Sequence, residues 1–464
     1  MPAPTARRPG IQRGASDSTS PSRTAIRFSL VTSNSPGKTK IAGRGTCSRT
    51  LLDVATTSTV RATYALVPGS AKIRRAPAFP PERVLMAPGP SNIHPRVLQA
   101  LVAPLTGHRD PVFLAIMDEV TDLLRGLFQT RNRATFALPA TGGSGMDATL
   151  INLLEPGDTV VLGRAGFFAN RMVDIAERIA SSQIGGRVVV VDAPWGEMVD
   201  PQHLIDAVRQ HRPRVLALVH GETSTGVEQP LEGLAKVCQD VDAFLAVDAV
   251  ASLGGSRLPV DELGIDVCYS GSQKCLSAPP GLAPITLSDR ALAAIEQRQS
   301  PVPSWYLDLS LHARFWDEHL YHHTAPVLNV YGLREALRMI EEEGLERRVQ
   351  RHAQHARALR AGLEALGLRL FADAGHRLDP VTTVLVPDGV SDDAVRTMLL
   401  EDFNLEIAGG LGEYTGRMWR IGLMGHSARR SNVMLLLSAL EHGLRRQGWQ
   451  PAASGVAAAE AVYD

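Results

Sequence analysis

The segment with the clearest chemical potential is Tyr269-Ser270-Gly271-Ser272-Gln273-Lys274, which directly follows a short apolar run. A lysine there would lie at the carboxyl end of a strand, where open α/β sheets bind their ligands. The pKa of an amine falls in a partly desolvated site, and the neutral amine is the form that condenses with an aldehyde. Lys274 is therefore a candidate nucleophile, although a single lysine at a strand end is more often simply solvated.

An earlier apolar run ends in an acid, Asp248, within Leu245-Ala246-Val247-Asp248-Ala249-Val250. A carboxylate that closes such a run is costly to bury without a cationic partner. The protonated ring nitrogen of pyridoxal phosphate is such a partner, and the aldehyde of the same molecule is a partner for the amine of Lys274. An acid at a strand end is often only a loop cap, but the two strand ends together predict a pyridoxal-phosphate site.

A glycine-rich turn offers a place for the phosphate. Ala140-Thr141-Gly142-Gly143-Ser144-Gly145 precedes a stretch with helical spacing. Such a turn exposes backbone N–H groups and the positive end of the helix dipole to an anion. Residues 143–148 also fit the G-x-G-x-x-A pattern of a dinucleotide fold. The next predicted strand, however, ends in Gly163-Arg164 and lacks the acid that would bind a ribose, so that alternative is disfavoured.

Five segments in a fixed order resemble the class V aminotransferases, specifically the alanine–glyoxylate and serine–pyruvate aminotransferase group. The resemblance extends over about residues 84–447. The segments are Ala87-Pro88-Gly89-Pro90-Ser91-Asn92, His220-Gly221-Glu222-Thr223-Ser224-Thr225-Gly226-Val227, Val247-Asp248-Ala249-Val250-Ala251-Ser252, Ser270-Gly271-Ser272-Gln273-Lys274 and Tyr321-His322-His323-Thr324.

The resemblance implies roles for individual residues around the cofactor. Lys274 matches the lysine that holds pyridoxal 5'-phosphate as a Schiff base, and Asp248 matches the partner of its ring nitrogen. Phe168 falls where the family stacks an aromatic ring on the cofactor, although an aromatic residue here could also be simple core. The other implied cofactor contacts are Thr141, Gly142, Gly143, Thr223, Val250, Gln273, Tyr321 and Thr324.

The resemblance also implies a substrate site and a dimer. Arg420 matches the arginine that binds the substrate carboxylate, and its guanidinium offers the bidentate fork that a carboxylate requires. It lies on an alternating strand, so it could instead point to solvent. Gly89 and Thr223 are further substrate contacts in this interpretation. Tyr321 and Thr324 resemble a pair that reaches the phosphate from the neighbouring subunit, which implies a homodimer with shared active sites.

Two adjacent histidines, His322 and His323, suggest a metal site as an alternative use of the same segment. Zinc sites combine histidine with cysteine or acidic ligands at short spacings. No cysteine or acid of suitable spacing completes such a set here, so we predict no metal.

The implied activity is transfer of an amino group from a small L-amino acid, alanine or serine, to a 2-oxo acid, glyoxylate or pyruvate, by a ping-pong mechanism. The related cysteine desulfurases need a catalytic cysteine well downstream of the lysine, yet none follows Cys275. They also stack a histidine on the ring where this chain has Phe168. A class V epimerase or lyase and a non-catalytic scaffold of the same fold stay open as alternatives.

From about residue 84, short runs rich in Val, Ile and Leu alternate with amphipathic stretches. This pattern is typical of an α/β domain with a mostly parallel sheet covered by helices. The predicted strands are Thr159–Gly163, Arg187–Val191, Val215–His220, Phe244–Asp248, Val267–Gly271 and Ala283–Leu287. The predicted helices lie near 169–181, 201–210, 231–239 and 289–298. After a long helical stretch broken near Gly344, further short strands and helices predict a smaller α+β domain.

We therefore predict a fold-type I pyridoxal-phosphate-dependent transferase. Its large domain, with an N-terminal arm and a seven-stranded type of sheet, covers 84–340. The small C-terminal domain covers 341–450, and 451–464 form a flexible tail. Residues 1–83 are rich in Ser, Thr, Pro and Arg and poor in acids, which predicts a disordered extension or a targeting segment.

Charge and composition limit the partners. Lys+Arg and Asp+Glu both total 48 in the 464 residues, so no net field attracts nucleic acid or an anionic membrane. No apolar run is long enough for a membrane span. The four cysteines show no zinc or disulfide spacing, which favours a reducing compartment. We expect a cytoplasmic protein, or a mitochondrial one if the N-terminal extension is a transit peptide.

Overall fold

The computed structural model describes residues 80–180 and 185–464. Of the predicted N-terminal extension, residues 1–79 lie outside the described part. Among the described residues, no helix is both long and apolar enough to cross a lipid bilayer.

The strands and helices follow one another along the chain as the alternating pattern predicts, with a few additions. The strands are β1 (Val84–Leu85), β2 (Ala134–Leu138), β3 (Thr159–Arg164), β4 (Arg187–Asp192), β5 (Val215–Val219), β6 (Gly221–Glu222), β7 (Val227–Glu228), β8 (Phe244–Asp248), β9 (Val267–Tyr269), β10 (Ala283–Leu287), β11 (Val381–Leu385), β12 (Leu405–Glu406), β13 (Ala408–Gly409) and β14 (Met418–Gly422). The helices are α1 (Pro95–Leu101), α2 (Pro111–Phe128), α3 (Gly142–Leu153), α4 (Phe167–Ile179), α5 (Pro201–His211), α6 (Leu234–Asp240), α7 (Val260–Leu263), α8 (Asp289–Glu296), α9 (Leu309–Asp317), α10 (Val327–Glu343), α11 (Leu345–Ala365), α12 (Asp392–Asp402), α13 (Arg430–Arg446) and α14 (Gly455–Tyr463).

The large domain is built on a seven-stranded sheet in the order β2-β10-β9-β8-β5-β3-β4. The run from β9 to β4 is parallel, whereas β10 pairs antiparallel with both of its neighbours. Strands β5, β8 and β10 are buried along their whole length because helices cover both faces, which explains their continuous apolar sequences. The predicted fold-type I architecture with a mostly parallel sheet is confirmed.

Strands β8 and β9 bring Asp248 and the segment of Lys274 close together. They are parallel neighbours, with Asp248 paired to Tyr269 in the ladder. Their carboxyl ends therefore meet at the same edge of the sheet, where the glycine-rich turn before α3 also lies, since a Cβ on Gly142 would approach the side chain of Val250. The three segments singled out in the sequence thus converge at one place.

The small domain has its own core around the three-stranded sheet β11-β14-β13, in which both pairings are antiparallel. The N-terminal strand β1 pairs in parallel with β12 of this domain, and Met86 is fully buried in its core. The arm therefore connects the two domains: it leaves the small-domain core at Met86 and reaches the large-domain lysine at Gly89.

The C-terminal residues 451–464 are not the flexible tail that we predicted, because they contain α14. This helix packs against α11, and the two backbones come so close at Gly362 and Gly455 that a Cβ on Gly455 would lie 2.9 Å from the carbonyl oxygen of Gly362. The hydroxyl of Tyr463 lies 2.7 Å from Nδ1 of His355, which fixes the end of the helix. Packing against α11, which local sequence does not reveal, orders this segment.

Candidate active site

Lys274 follows the end of β9 after one tight turn, and its Nζ donates a hydrogen bond to the carbonyl oxygen of Pro88 in the arm. Burial and the positive charge of Arg420 lower the pKa of Lys274 to about 8. Gly89 makes this approach possible: its φ is +96°, and a Cβ there would lie 2.5 Å from Cδ of the lysine. Of the two lysines in residues 80–464, Lys274 is thus the one held in an enclosed site in a reactive, readily deprotonated form.

Asp248 closes β8 and is 4% exposed. Its carboxylate accepts hydrogen bonds from the backbone N–H of Val250, at 2.8 Å, and from the hydroxyl of Tyr269, at 3.1 Å. Burial nevertheless raises the pKa of Asp248 to about 7. A cation beside it would restore the ionised form, so this carboxylate fits a protonated pyridine nitrogen.

The anion site is the N-terminus of α3. Thr141 is the N-cap, but its side chain does not cap the helix, which leaves the first N–H groups for a ligand. Gly142 cannot carry a side chain, because a Cβ would lie 2.6 Å from Cγ2 of Val250. Next to it, Nη1 of Arg171 is 4.0 Å from the Cβ position of Gly143 and adds a positive charge.

Gln273 contributes an unsatisfied group to the same region. Its side-chain oxygen is buried and has no hydrogen-bond partner among the described residues. A buried polar atom of this kind costs free energy unless a ligand supplies the missing partner. Together with the uncapped helix α3 and the carboxylate of Asp248, this atom shows that the site fits pyridoxal 5'-phosphate.

Phe168 lies in the first turn of α4 and is partly buried, with Cζ of Arg171 at 4.8 Å from its ring centroid. Its backbone N–H donates to Glu222 at 3.0 Å, and the N–H of Ala169 does the same at 3.0 Å. Glu222 is fully enclosed, and burial raises its pKa. It therefore anchors the helix that presents the aromatic ring.

Arg420 is 9% exposed and does not point to solvent. On β14, between β11 and β13, its Nε donates to the carbonyl oxygen of Gly409 at 2.7 Å and its Nη1 to that of Thr223 at 3.3 Å. Burial lowers the pKa of Arg420 to about 10. Among the described residues, no ion pair involves Arg420. Its buried guanidinium can therefore bind a carboxylate near Lys274.

Tyr321 and Thr324 lie in the loop between α9 and α10, and both are exposed in the single chain. Tyr321 is 58% exposed, and its ring lies 5.6 Å from that of His108. These two predicted phosphate contacts therefore face solvent, whereas the other predicted residues converge around Lys274.

Three residues of this site were not assigned from the sequence. Tyr269 bonds to Asp248, Glu222 holds the start of α4, and Arg171 stands over Phe168. Tyr269 and Glu222 were inside quoted motifs. Their roles were missed because each depends on a partner that only the folded chain brings within reach.

Comparison with known proteins agrees with this geometry. A family model described as aminotransferase class-V matches residues 84–431. The chain is 41% identical over 385 residues to the (S)-ureidoglycine–glyoxylate transaminase of Bacillus subtilis, which covers 79% of this chain and 91% of that protein. It is 42% identical over 389 residues to the alanine–glyoxylate aminotransferase of Callithrix jacchus, with coverage of 83% and 93%. The crystal structure of an alanine–glyoxylate aminotransferase from Nostoc sp. superposes with a TM-score of 0.77 at 47% identity, over 80% of this chain and 98% of that one.

The fold and the site thus define an enzyme that uses a vitamin B6 cofactor. The chain belongs to the class V aminotransferases. Its cofactor is pyridoxal 5'-phosphate, and its substrates are an amino acid and a 2-oxo acid.

Capture of the cofactor should follow the pKa of Lys274. Because that pKa is lowered to about 8, the amine is neutral above pH 8 and protonated below it. We expect the rate at which the amine of Lys274 forms its covalent bond with added pyridoxal phosphate to fall about tenfold per pH unit below pH 8 and to level off above it. Stopped-flow absorbance measures this rate, and Lys236→Ala, at an exposed position, should give the same profile. A rate that keeps rising to about pH 10, where an ordinary lysine titrates, would contradict the assignment.

Proposed function

We propose that this enzyme transfers the amino group of a small L-amino acid to glyoxylate, yielding glycine, in a ping-pong exchange. The relatives support glyoxylate as the acceptor, because the names of the Bacillus subtilis and the Callithrix jacchus enzymes share it while their donors differ. Alanine and serine are the donors that we expect, and pyruvate is the other candidate acceptor.

The observation that carries the proposal is the placement of Arg420 beside Lys274. Arg420 is buried and Lys274 is partly buried, and after burial itself the positive charge of Arg420 is the next cause that lowers the pKa of Lys274. A substrate whose carboxylate binds the guanidinium fork would present its α-carbon to that amine. Amino acids and 2-oxo acids both carry this carboxylate, so one site serves both halves of the exchange.

Each residue of the site has a separate role in the proposed reaction. Bound pyridoxal phosphate supplies an aldehyde that receives the amino group and a protonated ring that accepts electrons. Lys274, neutral near its lowered pKa, is the base placed to take the α-proton of the donor. The carboxylate of Asp248 holds the proton on the ring nitrogen, and the N-terminus of α3 holds the phosphate.

A third candidate donor is (S)-ureidoglycine, which the name of the Bacillus subtilis relative suggests. The deciding experiment measures initial rates for alanine, serine and (S)-ureidoglycine against glyoxylate and pyruvate, with the products identified by mass spectrometry. We expect glycine as the product of the best pair and parallel lines in double-reciprocal plots. Intersecting lines would exclude the exchange, and transfer to pyruvate alone would exclude glyoxylate as the acceptor.

The variant Arg420→Lys serves as the control in this matrix. It keeps the positive charge but removes the bidentate fork. Loss of one charge-assisted hydrogen bond corresponds to about 10–100-fold lower kcat/KM, mainly through KM, for donors and acceptors alike. A selective loss for donors only would argue against a shared carboxylate site.

We further propose that two copies of the chain form a dimer with shared active sites. Tyr321 and Thr324 are exposed, and several large apolar side chains near α1 and around α9 and α10 are exposed as well, which is costly in a monomer. They are Leu98, Val102, Leu105, Trp305, Tyr306, Leu320 and Leu328.

A complementation experiment tests whether this pair acts on the partner. The chain Lys274→Ala is paired with the chain Tyr321→Ala/Thr324→Ala, and heterodimers are purified through two different tags. If the loop acts across the dimer, each heterodimer holds one intact site and should show about half the activity of the wild-type dimer. If the loop acts within its own chain, both sites stay defective and activity remains at the level of the parent variants.

A further inference from the structure

Three buried histidines form a cluster outside the cofactor site. His312 is on α9, and His322 and His323 are in the loop that follows it. One ring nitrogen from each lies within 4.8 Å of those of the others. His312 lies on α9, whereas His322 and His323 lie in the loop after that helix. The residue spacing close to His322 and His323 therefore did not reveal the third member.

Backbone carbonyls fix the tautomers of two of these rings. Nε2 of His312 lies 2.7 Å from the carbonyl oxygen of Tyr306, and Nε2 of His322 lies 3.3 Å from that of Trp305. A carbonyl oxygen only accepts, so both Nε2 atoms are N–H donors. The lone pairs of both rings are therefore on Nδ1. This arrangement, with one nitrogen bonded to a carbonyl and the other left free, is the usual one for a metal-binding histidine.

Among the three Nδ1 atoms, that of His312 lacks a hydrogen-bond donor in the described part of the chain. Nδ1 of His322 faces Nδ1 of His323 at 2.9 Å, so a single proton can satisfy that pair. Nδ1 of His312 is buried and has no hydrogen-bond partner among the described residues, although the residue is completely inaccessible to solvent. A buried lone pair without a partner is costly, and it points to a ligand that supplies positive charge.

All three rings are buried, with exposed fractions between 0% and 8%. The surroundings are aromatic, with His322 stacked on Trp305 at 4.3 Å and His323 packed against Phe315 at 4.6 Å between ring centroids.

We propose that His312, His322 and His323 bind one divalent transition-metal ion, for which Zn²⁺ is the best match. Imidazole ligands suit Zn²⁺, and two nitrogens on one tetrahedral Zn²⁺ at 2.0–2.1 Å are roughly 3.4 Å apart. The Nδ1 atoms of His322 and His323 lie 2.9 Å apart, and one nitrogen of each of the three rings lies within 4.8 Å of the others, so the observed separations are close to that value. Water fills the fourth position.

The ion would tie the loop of Tyr321 and Thr324 to α9. Two ligands lie between these residues, and the third lies on the helix, so binding fixes the part of the loop that the proposed dimer presents to its partner. The metal site itself does not depend on the proposed function, because none of the hydrogen bonds that the described structure gives its ligands involves Lys274 or Asp248.

The test uses the untagged full chain with its cofactor bound, stripped of metals by a chelator. Equilibrium dialysis against Zn²⁺, followed by elemental analysis, should give one tightly bound ion per chain. The cofactor-free protein should give the same stoichiometry, which separates this site from any binding by the cofactor. Co²⁺ should give the visible absorption of a four-coordinate ion with nitrogen ligands.

His323→Gln and His312→Gln should each weaken Zn²⁺ binding at least about 100-fold. The matched control is His203→Gln on α5, which is exposed and should bind normally. Circular dichroism checks the fold of each variant, and if His312→Gln fails to fold, His323→Gln and the Co²⁺ spectrum of the wild type still decide. Absence of Zn²⁺ from the wild type, or equal binding by wild type and His323→Gln, would overturn the proposal.

Discussion

Replacing Lys274 by alanine is expected to lower the rate of amino transfer by at least about 10⁴-fold, the largest effect of any single substitution. The variant loses both the covalent link to the cofactor and the base beside the α-carbon of the donor. The uncapped start of α3 and the carboxylate of Asp248 are unchanged, so the protein should still bind pyridoxal phosphate. Single-turnover absorbance with L-alanine measures the rate, and equilibrium dialysis measures the retained cofactor.

The other lysine of the described chain provides the matched control. Lys236 is exposed and pairs with Asp240 on the surface of α6. Lys236→Ala should therefore keep the wild-type rate. If Lys274→Ala retained more than a few per cent of the wild-type rate, a different base would have to be sought, and borohydride labelling at another residue would identify it.

The substitution Asp248→Asn should have the second largest effect and lower kcat by about 10²–10³-fold. Asparagine keeps the size of the side chain and can still accept the hydrogen bond from the N–H of Val250. It cannot carry the negative charge that keeps the ring nitrogen protonated, so the bound cofactor becomes a weaker electron acceptor. The rate of the half-reaction with L-alanine measures this loss, and the cofactor content shows whether binding is preserved.

Tyr269→Phe separates the charge of Asp248 from its hydrogen bonds. It removes the donor at 3.1 Å but leaves the carboxylate in place. A hydrogen bond to a charged group contributes about 1.5–3 kcal/mol, so even its complete loss should lower the rate by no more than about 100-fold. If Tyr269→Phe and Asp248→Asn were equally damaging, the position of the carboxylate, and not its charge, would control the reaction.

The order of elements was predictable because it depends on local patterns. Buried parallel strands have apolar sequences along their whole length, and most predicted strand boundaries are confirmed to within one or two residues. Strand β2 was missed, since it enters the sheet antiparallel to β10 and outside the regular strand–helix alternation. Helix α14 was missed because its order comes from contact with α11, not from its own periodicity.

The residues of the cofactor site were predictable for a related reason. Lys274, Asp248 and the glycine turn each occupy the end or the start of a single element, so short motifs reveal them. Residues whose roles depend on distant partners were not predictable in the same way. The inward orientation of Arg420 is decided by its bonds to Gly409 and Thr223, and Glu222 acts through α4.

The sequence by itself therefore determined the family, the fold class and the chemical groups that carry the reaction, since these depend on residue types at fixed spacings. Only the tertiary structure decided which of these groups are enclosed, which way they face and what they approach. The lowered pKa of Lys274, the inward guanidinium of Arg420 and the meeting of His312 with His322 and His323 all arise this way. The physical reason is that burial and contacts across long sequence separations are set by the packing of whole elements, which no local pattern encodes.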